Sequence, residues 1–190
     1  MTGGVKINEI MASGERKPAV FLDRDGVLTE EKSYIDSVEK LCIFPYAAEC
    51  IRKIQEKGYY AIVVTNQSGV ARGLFSEEDL RRMNAYLIRE TKVDAVYYCP
   101  HHPAGTVEKY KMECDCRKPK TGMFQAACRD FAINLVKSYM VGDRAGDILA
   151  GQNLGIRTVL LESGYGTGRL EADVVPGHIF TDLRDLLEIL

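Results

Sequence analysis

Four short polar stretches hold the residues able to do chemistry. Asp23-Arg24-Asp25-Gly26-Val27 directly follows the apolar run Ala19-Val20-Phe21-Leu22, and Thr65-Asn66-Gln67-Ser68-Gly69 follows Tyr60-Ala61-Ile62-Val63-Val64. Arg117-Lys118-Pro119 is the third, and Gly142-Asp143 after Tyr139-Met140-Val141 is the fourth, with Asp147 one helical turn further on. An isolated D-x-D-G after an apolar run can be a mere turn whose side chains bond nearby amides. Asp143 and Asp147 in the matching position of another run argue against that reading. Carboxylates gathered in one place repel unless a cation neutralises them, and a hard, oxygen-preferring dication such as Mg²⁺ suits the task. The Thr65 hydroxyl, the Asn66 amide and the Lys118 ammonium can all contact phosphate oxygens. A carboxylate nucleophile, a dication, a lysine and neutral donors are what phosphoryl transfer requires, because its transition state needs positioning and charge neutralisation.

A second constellation is soft rather than hard. Cysteines stand at 42, 50, 99, 114, 116 and 128, and three of them share residues 99–116 with His101 and His102. Such clustering is a metal pattern rather than a disulfide pattern in a chain that is neither small nor cysteine-dense. Cys99-Pro100-His101-His102 and Cys114-Asp115-Cys116 put soft ligands at both ends of one loop. Four of them suffice for a closed, tetrahedral Zn²⁺ site, with no position left for catalysis. The loop ends immediately before Arg117 and Lys118, so this metal would fix the backbone that presents both cations. Cys50 and Cys128 fall within helical patterns and are expected to serve as small apolar residues.

These groups need elements to hold them. The runs at Ala19, Tyr60, Ala95, Tyr139 and Thr158 are apolar on both faces, as buried parallel strands are. Helical patterns separate them. One spans Pro45 to Lys57, with Gly58 as its stop, and another begins at the cap Ser76-Glu77-Glu78-Asp79 and runs to about Glu90. Thr121 to Phe131, Ala145 to Asn153 and Leu183 to Ile189 complete the set. This alternation predicts an α/β fold with a doubly wound, mainly parallel sheet, whose ligands bind beyond the carboxyl ends of the strands. Residues 1–17 show no periodicity and are expected to form a mobile leader; 18–190 are expected to form a single domain.

The whole sequence agrees with a small enzyme. Its 190 residues carry 25 basic and 27 acidic side chains, a formal charge of −2. Without a basic excess there is little to hold a nucleic acid, and no apolar run reaches the roughly 20 residues of a membrane span. No secretory signal is read at the N-terminus. A cytoplasmic monomer acting on a small molecule is expected.

D-R-D-G-V, T-N-Q-S-G, R-K-P and G-D-x-x-x-D, in this order, resemble the haloacid dehalogenase (HAD) superfamily of phosphatases. The nearer likeness is to the D-glycero-D-manno-heptose 1,7-bisphosphate 7-phosphatases, with the histidinol-phosphatases as relatives, and it spans nearly everything from Pro18 onward. The resemblance implies that Asp23 is the nucleophile and that Asp25 protonates the leaving oxygen, then activates water. It implies Mg²⁺ held by Asp23, the Asp25 carbonyl and Asp143, with Asp147 supporting that shell or Lys118. Thr65 and Lys118 would stabilise the transferring group, and Asn66, Gln67, Ser68, Arg117 and Arg144 would bind substrate. It also selects His101 over His102, giving a structural Zn²⁺ site of Cys99, His101, Cys114 and Cys116.

No insertion is large enough for a cap domain; Leu28 to Phe44 is at most a small flap. A second phosphate would need cations, and Arg72, Arg117 and Arg144 are candidates. Heptose phosphatases commonly carry Lys after the metal-binding Asp, where this chain has Arg144. The charge is kept, but the head group is longer and forked. The expected substrate is a small sugar phosphate, the heptose 1,7-bisphosphate cleaved at its 7-phosphate. Histidinol phosphate is the alternative ester. A zinc-knuckle nucleic-acid binder is the non-enzymatic rival, and it fares badly on charge.

Overall fold

The computed structural model describes residues 16–171 and 173–190. The expected leader lies outside the described residues apart from Arg16 and Lys17. Lys17 is already part of the body: its N–H donates to the Ala132 carbonyl (3.1 Å) and its carbonyl accepts from Asn134 (3.0 Å).

The five apolar runs are strands β1 (Ala19–Leu22), β2 (Tyr60–Asn66), β3 (Ala95–Cys99), β4 (Tyr139–Gly142) and β5 (Arg157–Leu161). A sixth, β6 (His178–Phe180), extends one edge. The helices are α1 (Ala47–Glu56), α2 (Glu77–Thr91), α3 (Gly122–Asp130), α4 (Ala145–Asn153) and α5 (Leu183–Leu186). Strand β6 escapes periodicity because it is three residues long and leaves His178 and Ile179 exposed. Helix α5 stops short of Ile189 because Leu187, Glu188 and Ile189 bond back three residues rather than four, tightening the chain out of α geometry.

All strand pairings are parallel, in the order β3-β2-β1-β4-β5-β6. The chain winds outward from β1 through β2 to β3, then returns to the other side of β1 as β4. The switch point therefore lies between β1 and β4, where connections diverge and open a crevice. Leu22 is level with both Val63 and Val141, so Asp23, Thr65 and Asp143 emerge together at the carboxyl edge.

Alternation along β1 feeds two cores. Val20 and Leu22 pack in the layer holding Ile51 and Ile54 of α1 and Leu80, Met83 and Leu87 of α2. Ala19 and Phe21 pack on the other face with Met123, Phe124 and Ala127 of α3. Phe21 meets Phe124 edge-on at 5.0 Å between centroids, a geometry worth about 0.5–1.5 kcal/mol beyond area burial. The expected cap of α2 is a full capping box between Ser76 and Asp79, in which the Ser76 hydroxyl accepts from the Asp79 N–H. Both sheet faces are thus buried, and the chemistry is confined to the strand ends and their loops.

Candidate active site

Three carboxylates meet at the switch point. Oxygens of Asp23, Asp143 and Asp147 lie within 4.8 Å of one another, and all three residues are buried. The countercharge is Lys118, whose Nζ stands 2.6 Å from Asp147 Oδ1 and 3.2 Å from Asp23 Oδ1 and donates to the Val64 carbonyl at 2.6 Å. One ammonium, with Arg144 Nε a further 3.8 Å from Asp143 Oδ1, still leaves an excess of negative charge on three carboxylates in a desolvated place. Burial pushes the Asp143 carboxyl up to about 8, with Asp23 and Asp147 adding to the rise. Burial likewise raises Asp23 to about 6, Lys118 opposing and Asp147 and Asp25 assisting.

Local structure keeps this centre open for a cation. Asp143 Oδ2 accepts from the Tyr165 N–H (2.9 Å), but its buried Oδ1 has no hydrogen-bond partner. Its nearest cation is Arg144 Nε at 3.8 Å, too far for a hydrogen bond, and a buried carboxylate oxygen without one is costly unless something positive takes it up. The backbone around it is glycine: a Cβ at Gly26 or Gly164 would collide with Asp143 Oδ2, and Gly26 also has φ +81°. Hard oxygen ligands, excess charge and an orphaned oxygen suit a small dication such as Mg²⁺.

Asp25 belongs to a different network. Arg24 grips it with two nitrogens, Nε to Oδ1 and Nη2 to Oδ2, both at 3.0 Å. Thr29 Oγ1 donates to Oδ1 (3.0 Å) and Gln67 Nε2 to Oδ2 (2.8 Å). Burial pushes the Asp25 carboxyl up, but the Arg24 charge and these donors outweigh it and hold the net value below the usual carboxylate range. Arg24 is itself fully buried, and its Nη1 reaches Asn84 of α2 at 3.4 Å. The general acid–base candidate is thus braced from beneath by a cation.

The surrounding donors are assembled with equal economy. Both amide atoms of Asn66 bond the Lys118 backbone at 3.0 Å, fastening the end of β2 to the Arg117–Pro119 turn. A cleft of about 230 Å³ is lined by Asp23, Asp25, Asn66, Arg117, Lys118 and Arg144 among others. A second of about 140 Å³ shares Asp25, Asn66, Ser68 and Arg144 and adds Ser33, Tyr34 and Tyr165. Gln67 lines this second cleft too, and its amide donates to Asp25 Oδ2 and to Thr65 Oγ1 (2.9 Å).

The soft ligands also converge. Sulfurs of Cys99 and Cys116 lie 3.3 and 3.0 Å from Cys114 Sγ, and His101 Nδ1 is 3.5 Å from Cys116 Sγ and 3.9 Å from Cys99 Sγ. Tetrahedral zinc with arms of about 2.0–2.3 Å gives edges of about 3.5–3.8 Å, close to this spacing. All six cysteines are free thiols. His102 is spoken for elsewhere, its Nδ1 accepting from Ala104 N–H (3.1 Å) and its Nε2 facing Arg72 (3.5 Å). The hydrogen bond between Cys99 and Cys116 holds the Cys116 thiol below its ordinary value and pushes the Cys99 thiol above it, so the two sulfurs share one proton.

A family model described as HAD-hydrolase-like matches residues 115–186. The D-glycero-beta-D-manno-heptose-1,7-bisphosphate 7-phosphatase of Haemophilus ducreyi is 41% identical over 169 residues, 84% of this chain and 92% of its own. The belonging is decided there. The chain is a member of the heptose-bisphosphate 7-phosphatase family of HAD-like hydrolases. The protein of the same description from Vibrio cholerae is 43% identical over 151 residues, 76% of this chain and 81% of its own. Among solved structures, the D,D-heptose 1,7-bisphosphate phosphatase from B. bronchiseptica, complexed with magnesium and phosphate, superposes with a TM-score of 0.77. It has 28% identity and covers 90% of this chain and 97% of its own.

The fold brings together Asp23, Asp25, Thr65, Asn66, Lys118, Asp143 and Asp147, and separately the Cys99, His101, Cys114 and Cys116 set. Reading motifs alone overlooked Arg24, Glu31, Asn84 and Tyr165. A cation between two aspartates in D-R-D was the one available signal, and it pointed to Arg24. Glu31 and Asn84 gain meaning only through partners 113 and 60 positions away.

Proposed function

We propose that this protein is a Mg²⁺-dependent phosphatase that removes the 7-phosphate of D-glycero-β-D-manno-heptose 1,7-bisphosphate through an aspartyl-phosphate on Asp23. The observation that carries the chemistry is the buried Asp23–Asp143–Asp147 cluster bridged by Lys118 at the switch point. The substrate follows from the family, whose relatives above carry that sugar in their name.

Asp23, the Asp25 carbonyl and Asp143 would hold Mg²⁺, with Asp147 steadying Lys118 beside them. When bound, the ion neutralises charge on Asp23 and on the transferring phosphoryl oxygens. An Asp23 oxygen attacks phosphorus and the bond from phosphorus to the sugar oxygen breaks. Asp25 gives its proton to that oxygen. Asp25 rests ionised and takes up that proton from solvent as substrate binds, because the incoming phosphate's negative charge raises its proton affinity. Asp25 then takes a proton from water, the resulting hydroxide attacks phosphorus, and the Asp23–phosphate bond breaks to release inorganic phosphate. Lys118 and Thr65 face the phosphoryl oxygens through both steps, and Gln67 acts by orienting Asp25 and Thr65. Arg117, Ser68 and Arg144 take the rest of the substrate, while Asn66 also locks the turn that carries Lys118.

Zn²⁺ at the Cys99, His101, Cys114 and Cys116 set is structural in this reading, and it stiffens the loop leading into Arg117. Among the described residues no helix is long and apolar enough to cross a membrane. Free thiols suit a reducing cytoplasm, and a charge of −2 gives a nucleic acid little to hold; a monomer is the rest of this reading. The test is kcat/KM with Mg²⁺ for both anomers of the bisphosphate against histidinol phosphate. The β anomer is expected to lead; a preference for histidinol phosphate would leave only the aspartyl-phosphate mechanism standing.

A further inference from the structure

The geometry points to Glu31 as the residue that positions Arg144 for the second phosphate of the substrate, an inference that rests on the bisphosphate reading above. Glu31 lies in the flap between β1 and α1. Its side chain is only 10% exposed, whereas that of neighbouring Glu30 is 50% exposed. A carboxylate withdrawn from water on a surface flap needs strong partners, and both oxygens have one. Oε2 accepts from Arg144 Nη2 at 2.6 Å, and Oε1 accepts from the Ser33 N–H at 2.7 Å.

Each partner carries its own sign of constraint. Ser33 has φ +61°, in the left-handed region that side chains with a Cβ avoid. Such a conformation persists where the surroundings over-determine it, and it clusters at ligand clamps. The Arg144 guanidinium lies over the Tyr165 ring, 4.3 Å from its centroid, while the Tyr165 N–H is committed to Asp143 Oδ2. The Arg144 N–H donates to Asp147 Oδ2 at 3.2 Å. Three segments therefore meet at one arginine: the flap, the β4–α4 turn and the loop after β5. Ser33, Tyr34, Arg144 and Tyr165 line the 140 Å³ cleft together with Asp25.

The consequence is pre-organisation. An arginine on a free stem loses rotamer freedom when it grips an anion; one already held by a carboxylate and a ring face has lost most of it beforehand. Glu31 engages Nη2 and Asp143 Oδ1 stands 3.8 Å from Nε, while the Arg144 side chain remains about half exposed where it lines the cleft, so the distance from the cation to Asp23 is set before substrate arrives. A substrate with two phosphates at the matching separation gains from this, and one with a single phosphate does not. Glu31 is thus a positioning residue that acts through Arg144.

A double-mutant cycle tests it, with kcat/KM measured on heptose 1,7-bisphosphate and heptose 7-phosphate for the parent, Glu31→Gln, Arg144→Ala and the double variant. Melting temperatures confirm that each is folded. Glu31→Gln is expected to lower kcat/KM for the bisphosphate about tenfold, chiefly through KM, and for the monophosphate less than about threefold. In the Arg144→Ala background the same change should cost less than about twofold. Glu31→Asp, which keeps the charge, should retain more of the bisphosphate preference than Glu31→Gln. Equal losses on both substrates, or an undiminished loss without Arg144, would show Glu31 to be only a flap anchor and overturn the inference. A parent enzyme that does not turn over the bisphosphate would overturn the functional reading together with it.

Discussion

Replacing Asp23 by Asn keeps the shape of the side chain and removes the charge that must attack phosphorus. Turnover is expected to fall below detection in a phosphate-release assay, while the melting temperature and zinc content persist; activity within tenfold of the parent would end the covalent mechanism. Asp25→Asn keeps the nucleophile but expels the sugar alkoxide without a proton, a loss of about 10² to 10⁴ in kcat. That loss should shrink with an activated aryl phosphate, whose leaving group needs no proton, so the ratio between the two substrates isolates the acid role. Residues of this kind were legible in the sequence because their chemistry is local: a carboxylate two positions from another, a lysine before a proline. Arg24, which grips Asp25 with two nitrogens, was legible only in part. The D-R-D pattern points to it, but its full burial and its contact with Asn84, sixty positions on, are supplied only by folding.

Elements placed these side chains where strand periodicity expected them, and they failed where packing rather than pattern decides. The apolar run Ala19–Leu22 is strand β1 end for end, because every one of its residues is buried between two helical layers. The edge strand β6 has no such run, and it is held by pairing to β5 rather than by burial. The loop from Cys99 to Cys116 has little regular structure of its own beyond one short turn at Glu108–Tyr110. It is anchored at its middle by the Tyr110 hydroxyl, which donates to Glu77 of α2 at 2.7 Å, and at its end by the cysteine set. Protein purified without added metal should contain close to one zinc per chain by elemental analysis. Cys114→Ser and Cys116→Ser should lower the melting temperature and reduce turnover together, since Arg117 and Lys118 follow the last ligand directly. If a chelator that strips the zinc leaves both quantities unchanged, the loop does not need its metal.

Across the whole molecule, the acidic centre couples stability, pH and Mg²⁺. Asp23 and Asp143 have folded-state values of about 6 and about 8, above the 3.8 of an ordinary aspartate. A group raised on folding lends stability that is complete below its unfolded value and is lost as pH rises through its folded value. Without Mg²⁺, these two residues therefore favour the fold near pH 4 and work against it progressively towards pH 8. Asp25 has the opposite sign, because its value is lowered and its contribution disappears only in acid. A dication binds the ionised carboxylates, so it competes with protons and relieves the strain where they are absent. Ligand binding to the folded state alone stabilises by RT ln(1 + [L]/Kd), and Kd here should fall as the carboxylates ionise. The rise in melting temperature on adding Mg²⁺ is thus expected to be small at pH 5 and to grow through pH 6 to 8. Taking the difference with and without Mg²⁺ at each pH removes the titration of groups away from the ion, such as His102, which stay on both sides of the comparison. Asp143→Asn should abolish most of that difference and, in Mg²⁺-free buffer at pH 8, melt higher than the parent, because it deletes a buried charge whose Oδ1 has no hydrogen-bond partner. A Mg²⁺ effect equal at pH 5 and pH 8 would mean that the ion is held by groups other than these carboxylates.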